Sequence, residues 1–372
     1  MNKSVKKSLL IIALLALVIV VALKFLPRFE GTSKVIIDDK SQLSDLPYIF
    51  INKHEATLKW INNGQEQSQT ISTNSKVDLN SEFTFRIDDL LKICTEQMHE
   101  HHNIENIVVL SDIHGQYDLF KQLLRVNKVI DSNGNWQYQN GHLVVIGDAF
   151  DRGDKVNETL WHLLKLMQQA QNEGGNVHYL LGNHDIMVLN GDLRYINDKY
   201  KQIEELTEHT YQELYGDNTL MGKWLRSCPV VLRINDVLFS HGGLSLTMVN
   251  HGFSIDKINQ LFATDIIDNH KDSIRADEKL SLLARSQGPI WYRGYFTDTT
   301  LTNASIDSIL HHFNAKQIIV GHTSMERVEV LFDKRILAAD TSIKKGENGE
   351  LLFIENKHYY RAGLDGVKMP LW

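Results

Sequence analysis

Between residues 147 and 154 the chain reads Gly-Asp-Ala-Phe-Asp-Arg-Gly-Asp, directly after the apolar run Leu143–Ile146. Asp148, Asp151 and Arg152 therefore leave one strand end within five residues. A carboxylate there can hold a metal ion, a second can orient a histidine, and an arginine can clamp a phosphate through two parallel hydrogen bonds. Four more clusters share this grammar: Ser111-Asp112-Ile113-His114-Gly115, Gly182-Asn183-His184-Asp185, Ser240-His241-Gly242-Gly243 and Gly321-His322-Thr323. In each, an apolar run ends and small residues alternate with Asp, Asn or His. A lone Asp-x-His after a strand is more often a cap or a turn than a ligand. Five such clusters in order, at strand ends, point to one ligand site, because strand ends of α/β sheets are where ligands bind.

Pooled, Asp112, His114, Asp148, Asn183, His241 and His322 supply two carboxylates, one amide and three imidazoles, without a thiolate. Such a set suits two divalent ions of the Mn, Fe or Zn kind, and does not suit a structural cysteine–zinc site. Six donors are too many for one catalytic ion with an open position. Two ions ~3.5–4 Å apart, sharing one carboxylate, use them all. Asp148 is the expected bridge. Two ions so placed turn water into hydroxide and neutralise phosphate charge during in-line displacement.

The elements that position these clusters alternate along the chain. Strands are expected at Ile107–Leu110, Leu143–Ile146 and Val177–Leu181, with helices at Leu119–Val126 and Asn157–Gln171. Asp112 lies 36 residues before Asp148, and Asp148 lies 35 before Asn183. Each interval is the span of one β–α unit, so successive units bring the clusters side by side. A helical insertion over about 186–226 reads as a lid or cap. Strands follow at Val230–Ile234 and Val237–Ser240, then a second helical region over about 254–286, a helix near Ile306–Phe313, and strands at Gln317–Val320, Val328–Phe332, Arg335–Ala339 and Leu351–Ile354. Asp154 is the expected cap of the helix after it. Before residue 106 the pattern changes. Tyr48–Asn52, Thr57–Ile61 and Gln69–Ser72 are β-prone, and Asn62-Asn63-Gly64 is a hairpin signal. Residues 31–105 thus read as a small β-rich accessory region, with Phe83–Ile93 leading by a helix into the main unit at 106–372. His99, His101 and His102 read as a solvated linker.

Lys3, Lys6 and Lys7 precede an apolar run, Leu9–Leu23. As a helix it is about 22 Å long, short of the ~30 Å hydrocarbon core unless Lys24 snorkels and Phe25 and Leu26 extend it. The following Lys-Phe-Leu-Pro-Arg-Phe-Glu is a poor cleavage site. Residues 1–30 are expected to be an N-terminal membrane anchor, with the lysines cytoplasmic and the catalytic domain extracytoplasmic, that is periplasmic. Secretion after signal cleavage is the alternative. Residues 1–30 carry a net +4, which leaves −11 on the rest of a chain whose total is −7. So acidic a body is not expected to bind nucleic acid. Cys94 and Cys228 resemble neither a disulfide framework nor a zinc cluster and are expected to be independent core residues, with pairing outside the cytoplasm as the alternative.

The five clusters resemble those of the calcineurin-like (PPP) metallophosphoesterase superfamily: Gly-Asp-x-His-Gly, Gly-Asp-x-x-Asp-Arg-Gly, Gly-Asn-His-Glu/Asp, His-Gly-Gly and a late Gly-His. Ser111 stands in place of the first glycine, and Asp185 holds the acidic position after His184. The stretches Gly182–Tyr195 and Gly288-Pro-Ile-Trp-Tyr-Arg-Gly-Tyr resemble the Shewanella-like protein phosphatases, a branch associated with phosphotyrosine proteins. The resemblance implies a four-layer αββα sandwich with a helical cap. It implies that Asp112 and His114 bind one metal, that Asp148 bridges, and that Asn183, His241 and His322 bind the other. It makes His184 the general acid and Asp151 its partner, with Arg152, Arg293 and Asn183 on the substrate phosphate. The implied activity is phosphomonoester hydrolysis by a dinuclear-metal-bound hydroxide, acting on a phosphoprotein or a small phosphoester. A dinucleoside polyphosphate hydrolase is the alternative within hydrolases. Such enzymes generally lack the Asp-Arg-Gly-Asp continuation at 151–154. An inactive, membrane-tethered binding module is the alternative outside them. The resemblance gives Asp185 no role.

Overall fold

The computed structural model describes residues 32–35, 43–80, 82–95 and 98–372. Residues 1–30, read above as a membrane helix, lie outside the described residues, and among those described no helix is long and apolar enough to cross a membrane.

The accessory strands are β1 (Thr32–Val35), β2 (Asp45–Asn52), β3 (Glu55–Asn62), β4 (Gln65–Ser72), β5 (Lys76–Leu79) and β6 (Phe83–Arg86). β2, β3 and β4 form an antiparallel meander, and β5 pairs with both β1 and β6. The β3–β4 turn is Asn63-Gly64, both left-handed at φ 54° and 73°. Two residues of that conformation match the twist of a two-residue hairpin, and Asn-Gly tolerates it best. Helix α1 (Ile87–Ile93) then leads to β7 (Glu100–His101). The linker reading of residues 99–102 is thus corrected in part: Glu100–His101 pairs with a strand of the main unit, and the His101 ring packs 4.6 Å from that of His178.

The main unit runs through β8 (Asn106–Leu110), α2 (Tyr117–Val126), β9 (His142–Val145), α3 (Val156–Asn172) and β10 (Asn176–Tyr179). Helices α4 (Asn183–Leu189), α5 (Asp198–Thr207), α6 (Tyr211–Leu214) and α7 (Leu220–Ser227) fill the region expected as a cap. β11 (Val231–Ile234) and β12 (Val237–Ser240) follow, then α8 (Leu246–Asn250), α9 (Ile255–Leu261), α10 (Lys271–Ala276), α11 (Glu278–Leu283), α12 (Gly294–Thr297) and α13 (Asn303–His312). The chain closes with β13 (Gln317–Val320), β14 (Glu329–Leu331), β15 (Ile336–Ala338), β16 (Leu351–Glu355), β17 (His358–Ala362) and β18 (Met369–Pro370).

Two six-stranded sheets result, ordered β10-β9-β8-β16-β17-β18 and β14-β15-β13-β12-β11-β7. Side chains alternate across each strand. Ile107, Val109, Val144 and Ile146 of the first sheet meet Leu232, Ile234, Phe239 and Ile319 of the second in one buried cluster. Val108, Leu110, Leu143 and Val145 point the other way and join the helices in a second cluster. Strands covered on both faces must be apolar throughout, which is why they read as continuous runs. β8, β9 and β10 are parallel neighbours, as are β12 and β13. The first three clusters therefore leave one sheet side by side, and the last two leave the other.

The accessory unit docks on α3. Trp161 packs against Phe85 at 5.2 Å between ring centroids and donates its indole N–H to the Pro47 carbonyl. Cys94 and Cys228 are free thiols. Asp154 does not cap α3: the capping position is Lys155, which makes no side-chain cap bond. The Asp154 carbonyl instead accepts from Lys199 and Tyr200 of α5.

Candidate active site

The loops after β8, β9, β10, β12 and β13 converge on one buried cluster. Asp112, His114, Asp148, Asn183, His241 and His322 are each no more than 4% exposed. Asp112, His114, Asp148, Asp151, Arg152 and His322 all have positive φ, between 47° and 71°. Residues with a Cβ avoid that region, so the surrounding structure must enforce it. It does so through close backbone contact. A Cβ on Gly182 would sit 2.2 Å from Asp148 Oδ1, and one on Gly147 would sit 2.4 Å from Gly182 N. Only glycine permits these two loops to touch.

Hydrogen bonds aim the donors. His114 donates Nδ1–H to the Phe150 carbonyl at 2.6 Å, and His241 donates Nδ1–H to the Ile146 carbonyl at 2.7 Å. Both rings thereby present Nε2 to the cluster, the arrangement in which a backbone carbonyl fixes the tautomer of a metal-binding histidine. His114 Nε2 lies 3.5 Å from Asp148 Oδ2 and 3.8 Å from Asp112 Oδ1. His241 Nε2 lies 3.2 Å from the same Asp148 Oδ2 and 3.0 Å from Asn183 Oδ1. One carboxylate oxygen of Asp148 thus faces both halves of the cluster.

Among the described residues, two groups have ligand atoms within 4.8 Å of one another: His114, Asp148 and His184, and Asp148, His241 and His322. Buried His322 Nε2 has no hydrogen-bond partner among the described residues. A buried polar atom is seldom left unpaired, and a cation in this donor set would pair it. The residues fit a dinuclear metal site.

Electrostatics agree. Burial and the charge of Asp340 push Asp112 up to about 7. Burial works against ionisation of Asp148 too, yet His241 beside it holds its carboxyl well below the usual range. Burial pushes His114 down to about 3 and, with His241 and Arg293 nearby, His322 down to about 2, so both rings are neutral donors. His241 is raised to about 10 against its burial by Asp148 and Asp112. The crowded carboxylates favour positive charge at that point.

Beside the cluster, His184 Nδ1 meets Asp151 Oδ2 at 2.5 Å. The other ring nitrogen lies 3.5 Å from an Arg152 Nη2. Burial, the largest single effect, opposes protonation of His184, but the Asp151 hydrogen bond and the charges of Asp148 and Asp151 together outweigh it and raise the imidazole above its ordinary value. The exposed Arg293 is aimed by donating one Nη1 to the His322 carbonyl and to Thr323 Oγ1, both at 3.0 Å. Trp291 packs its ring edge-on to His322 at 5.6 Å.

Asp185, given no role from the sequence, holds the two central loops together. Its carboxylate accepts from the backbone N–H groups of Gly182 (2.7 Å), Asp148 (2.9 Å) and Ala149 (3.2 Å). Ser111 does more than turn the chain, since its hydroxyl donates to Asp112 Oδ2 at 2.6 Å. That oxygen also accepts from His322 N, which leaves Oδ1 for a ligand. Tyr195 lies at the rim, 46% exposed, its ring 5.3 Å from that of His184. The motif's acidic position and the three-residue step from Gly182 mark Asp185 in the sequence, but nothing there marks its bonds to Asp148 and Ala149. Its role comes from amides on two different loops.

A family model for calcineurin-like phosphoesterases matches residues 105–325, which holds all five clusters. The chain belongs to the calcineurin-like metallophosphoesterases. Within them it groups with the Shewanella-like protein phosphatases. It is 42% identical to the cold-active protein-tyrosine phosphatase of a psychrophilic Shewanella species, covering 88% of this chain and 99% of that one with a TM-score of 0.83. It is 30% identical over 247 residues to Shewanella-like protein phosphatase 1 of Plasmodium berghei, covering 63% of this chain and 66% of that protein. A protein serine/threonine phosphatase of Saccharomyces cerevisiae shares the fold, at 16% identity and a TM-score of 0.52 over 76% of this metallophosphoesterase.

Proposed function

We propose that the protein is a metal-dependent protein phosphatase that hydrolyses phosphotyrosine. The observation that carries this reading is the His184–Asp151 pair, set against a His and Asp cluster that fits two divalent ions and beside the Arg152 guanidinium. Asp112, His114 and Asp148 would hold one ion; Asp148, Asn183, His241 and His322 would hold the other. Bound there, two divalent ions supply water activation and neutralise phosphate charge.

The chain's own residues do the rest. Arg152 and Arg293 bind phosphate oxygens as planar, charge-assisted donors. Asn183 adds an amide donor. His184 gives its Nε2 proton to the leaving oxygen, the work of a general acid. Asp151 holds the Nδ1–H, fixes the ring's orientation and stabilises the protonated form. Tyrosine as substrate is supported by the 42% identity to the Shewanella enzyme, itself a protein-tyrosine phosphatase by name.

We take residues 31–105 as an accessory region and 106–372 as the catalytic domain, with the helices of 186–226 as its cap. Lys3, Lys6, Lys7 and the apolar run after them support a membrane-anchored protein with its catalytic domain in the periplasm. Protease accessibility of that domain in intact cells against lysed cells tests the placement. Incubation with Mn²⁺, p-nitrophenyl phosphate, and phosphotyrosine, phosphoserine and phosphothreonine peptides tests the activity. Preferential release from phosphotyrosine is expected. Turnover confined to a dinucleoside polyphosphate run alongside overturns the reading.

A further inference from the structure

A cavity of about 790 Å³ opens beside the phosphate-binding residues. Asn183 and Arg293 line it, so it is continuous with the candidate active site. Binding pockets of about 300–1,000 Å³ enclose drug-sized ligands, and one phosphorylated side chain does not fill this one. Its walls have two chemistries. Ile186, Met187, Leu246, Ile274, Trp291 and Leu301 give an apolar side. Arg194, Lys271, Arg275, Arg285 and Arg293 stand against only Asp192 and Asp298, a surplus of three positive charges on a chain whose net charge is −7.

The surplus is available to a ligand. Arg194 and Asp192 neutralise each other through two bonds of 2.7 and 2.8 Å. Arg275 reaches Asp272 only at 3.7 Å. Arg285 has no side-chain hydrogen bond or ion pair among the described residues. Lys271 and Arg275 are four residues apart on α10, hence on one face of that helix. All three cations are exposed.

We propose that this groove binds the chain flanking the phosphorylated residue of a peptide substrate, and that it selects flanks that combine acidic and apolar side chains. The proposal rests on the phosphatase reading and deepens it. Arg293 would hold the phosphate where the groove meets the site. Lys271, Arg275 and Arg285 would meet carboxylates further along, and the apolar wall would take a neighbouring aliphatic or aromatic side chain. A positive groove on an acidic protein also steers anionic peptides and rejects basic ones.

The test uses three peptides of equal length built on the phosphoamino acid that the protein turns over fastest. Their flanks are rich in Glu, Gln or Lys, and p-nitrophenyl phosphate is run alongside. At low salt, kcat/KM is expected to follow the order Glu, Gln, Lys, with at least about a fivefold span for three exposed charge contacts. Added salt narrows the span. The K271E/R275E/R285E variant is expected to reverse the order while p-nitrophenyl phosphate turnover stays within about twofold. Two results overturn the proposal: equal turnover of the three peptides by a protein active on p-nitrophenyl phosphate, or an order unchanged in the variant. Absence of turnover on every substrate instead removes the phosphatase reading, and this inference with it.

Discussion

Replacing Asp151 by Asn removes a charge and little else. Asp151 and His184 meet at 2.5 Å, and the Asp151 side chain is fully covered. An asparagine oxygen can still accept the Nδ1–H, so the ring keeps its orientation. What is lost is the difference between a charged and a neutral hydrogen bond, about 1–1.5 kcal/mol when ~1.5–3 falls to ~0.5–1.5. That corresponds to about 5–15-fold. The sign follows from the direction of the shift. Asp151, with Asp148, raises His184 against its burial, and in the proposed mechanism the protonated ring is the acid. Activity is present below the His184 pKa and is lost as pH rises through it, so Asp151→Asn must move the alkaline limb of the pH–rate profile downward. The loss must also depend on the leaving group. p-Nitrophenolate leaves with little help from a proton, whereas an unactivated phenol or alcohol needs one. The assay is kcat/KM against pH for phenyl phosphate and p-nitrophenyl phosphate, with metal content measured on the same samples. We expect the larger loss on phenyl phosphate at unchanged metal content. Equal losses on both substrates, with the alkaline limb unmoved, would refute the proton-donor role.

Further outcomes follow from neighbouring contacts. Asp185→Asn weakens three backbone hydrogen bonds and should lower stability by about 1–3 kcal/mol in urea unfolding, together with metal affinity. Gly182→Ala places a Cβ 2.2 Å from Asp148 Oδ1 and should abolish turnover and reduce metal content in a chain that still folds by circular dichroism. Burial pushes His162 and His142 down to about 4. Both are neutral in the folded state, so their stabilising contribution is present above about 6.5 and is lost as pH falls toward 4. Thermal denaturation across that window should show the melting temperature falling with pH, and His162→Gln should flatten the fall.

Much of the fold was legible because its rules are local. Asn63-Gly64 announces a hairpin through backbone preference, and β8, β9 and β10 announce themselves through two-sided burial. The five clusters were legible because each sits where such a run ends. What escaped detection depends on contacts between distant segments. β16 pairs antiparallel with β8, setting Leu352 beside Val109, and no short-range pattern connects those residues. Asp185 reads as one more acid in a helix's first turn until the Gly147 loop is folded against it. Asp154 has the side chain of a helix cap, but α5 takes its carbonyl and the helix starts one residue later. Tyr195 is brought beside His184 by the turn between α4 and α5, a geometry that composition does not encode.

Titration of the metal-free protein with Mn²⁺, followed by p-nitrophenyl phosphate turnover and by metal bound per chain, separates a dinuclear site from a mononuclear one. A dinuclear site with Asp148 at its centre predicts that turnover develops fully only with the second equivalent. It also predicts that Asp148→Asn loses both metal and activity. Full turnover without metal or with a single equivalent, or an Asp148→Asn protein that binds two ions and works normally, would rule out a dinuclear site bridged by Asp148.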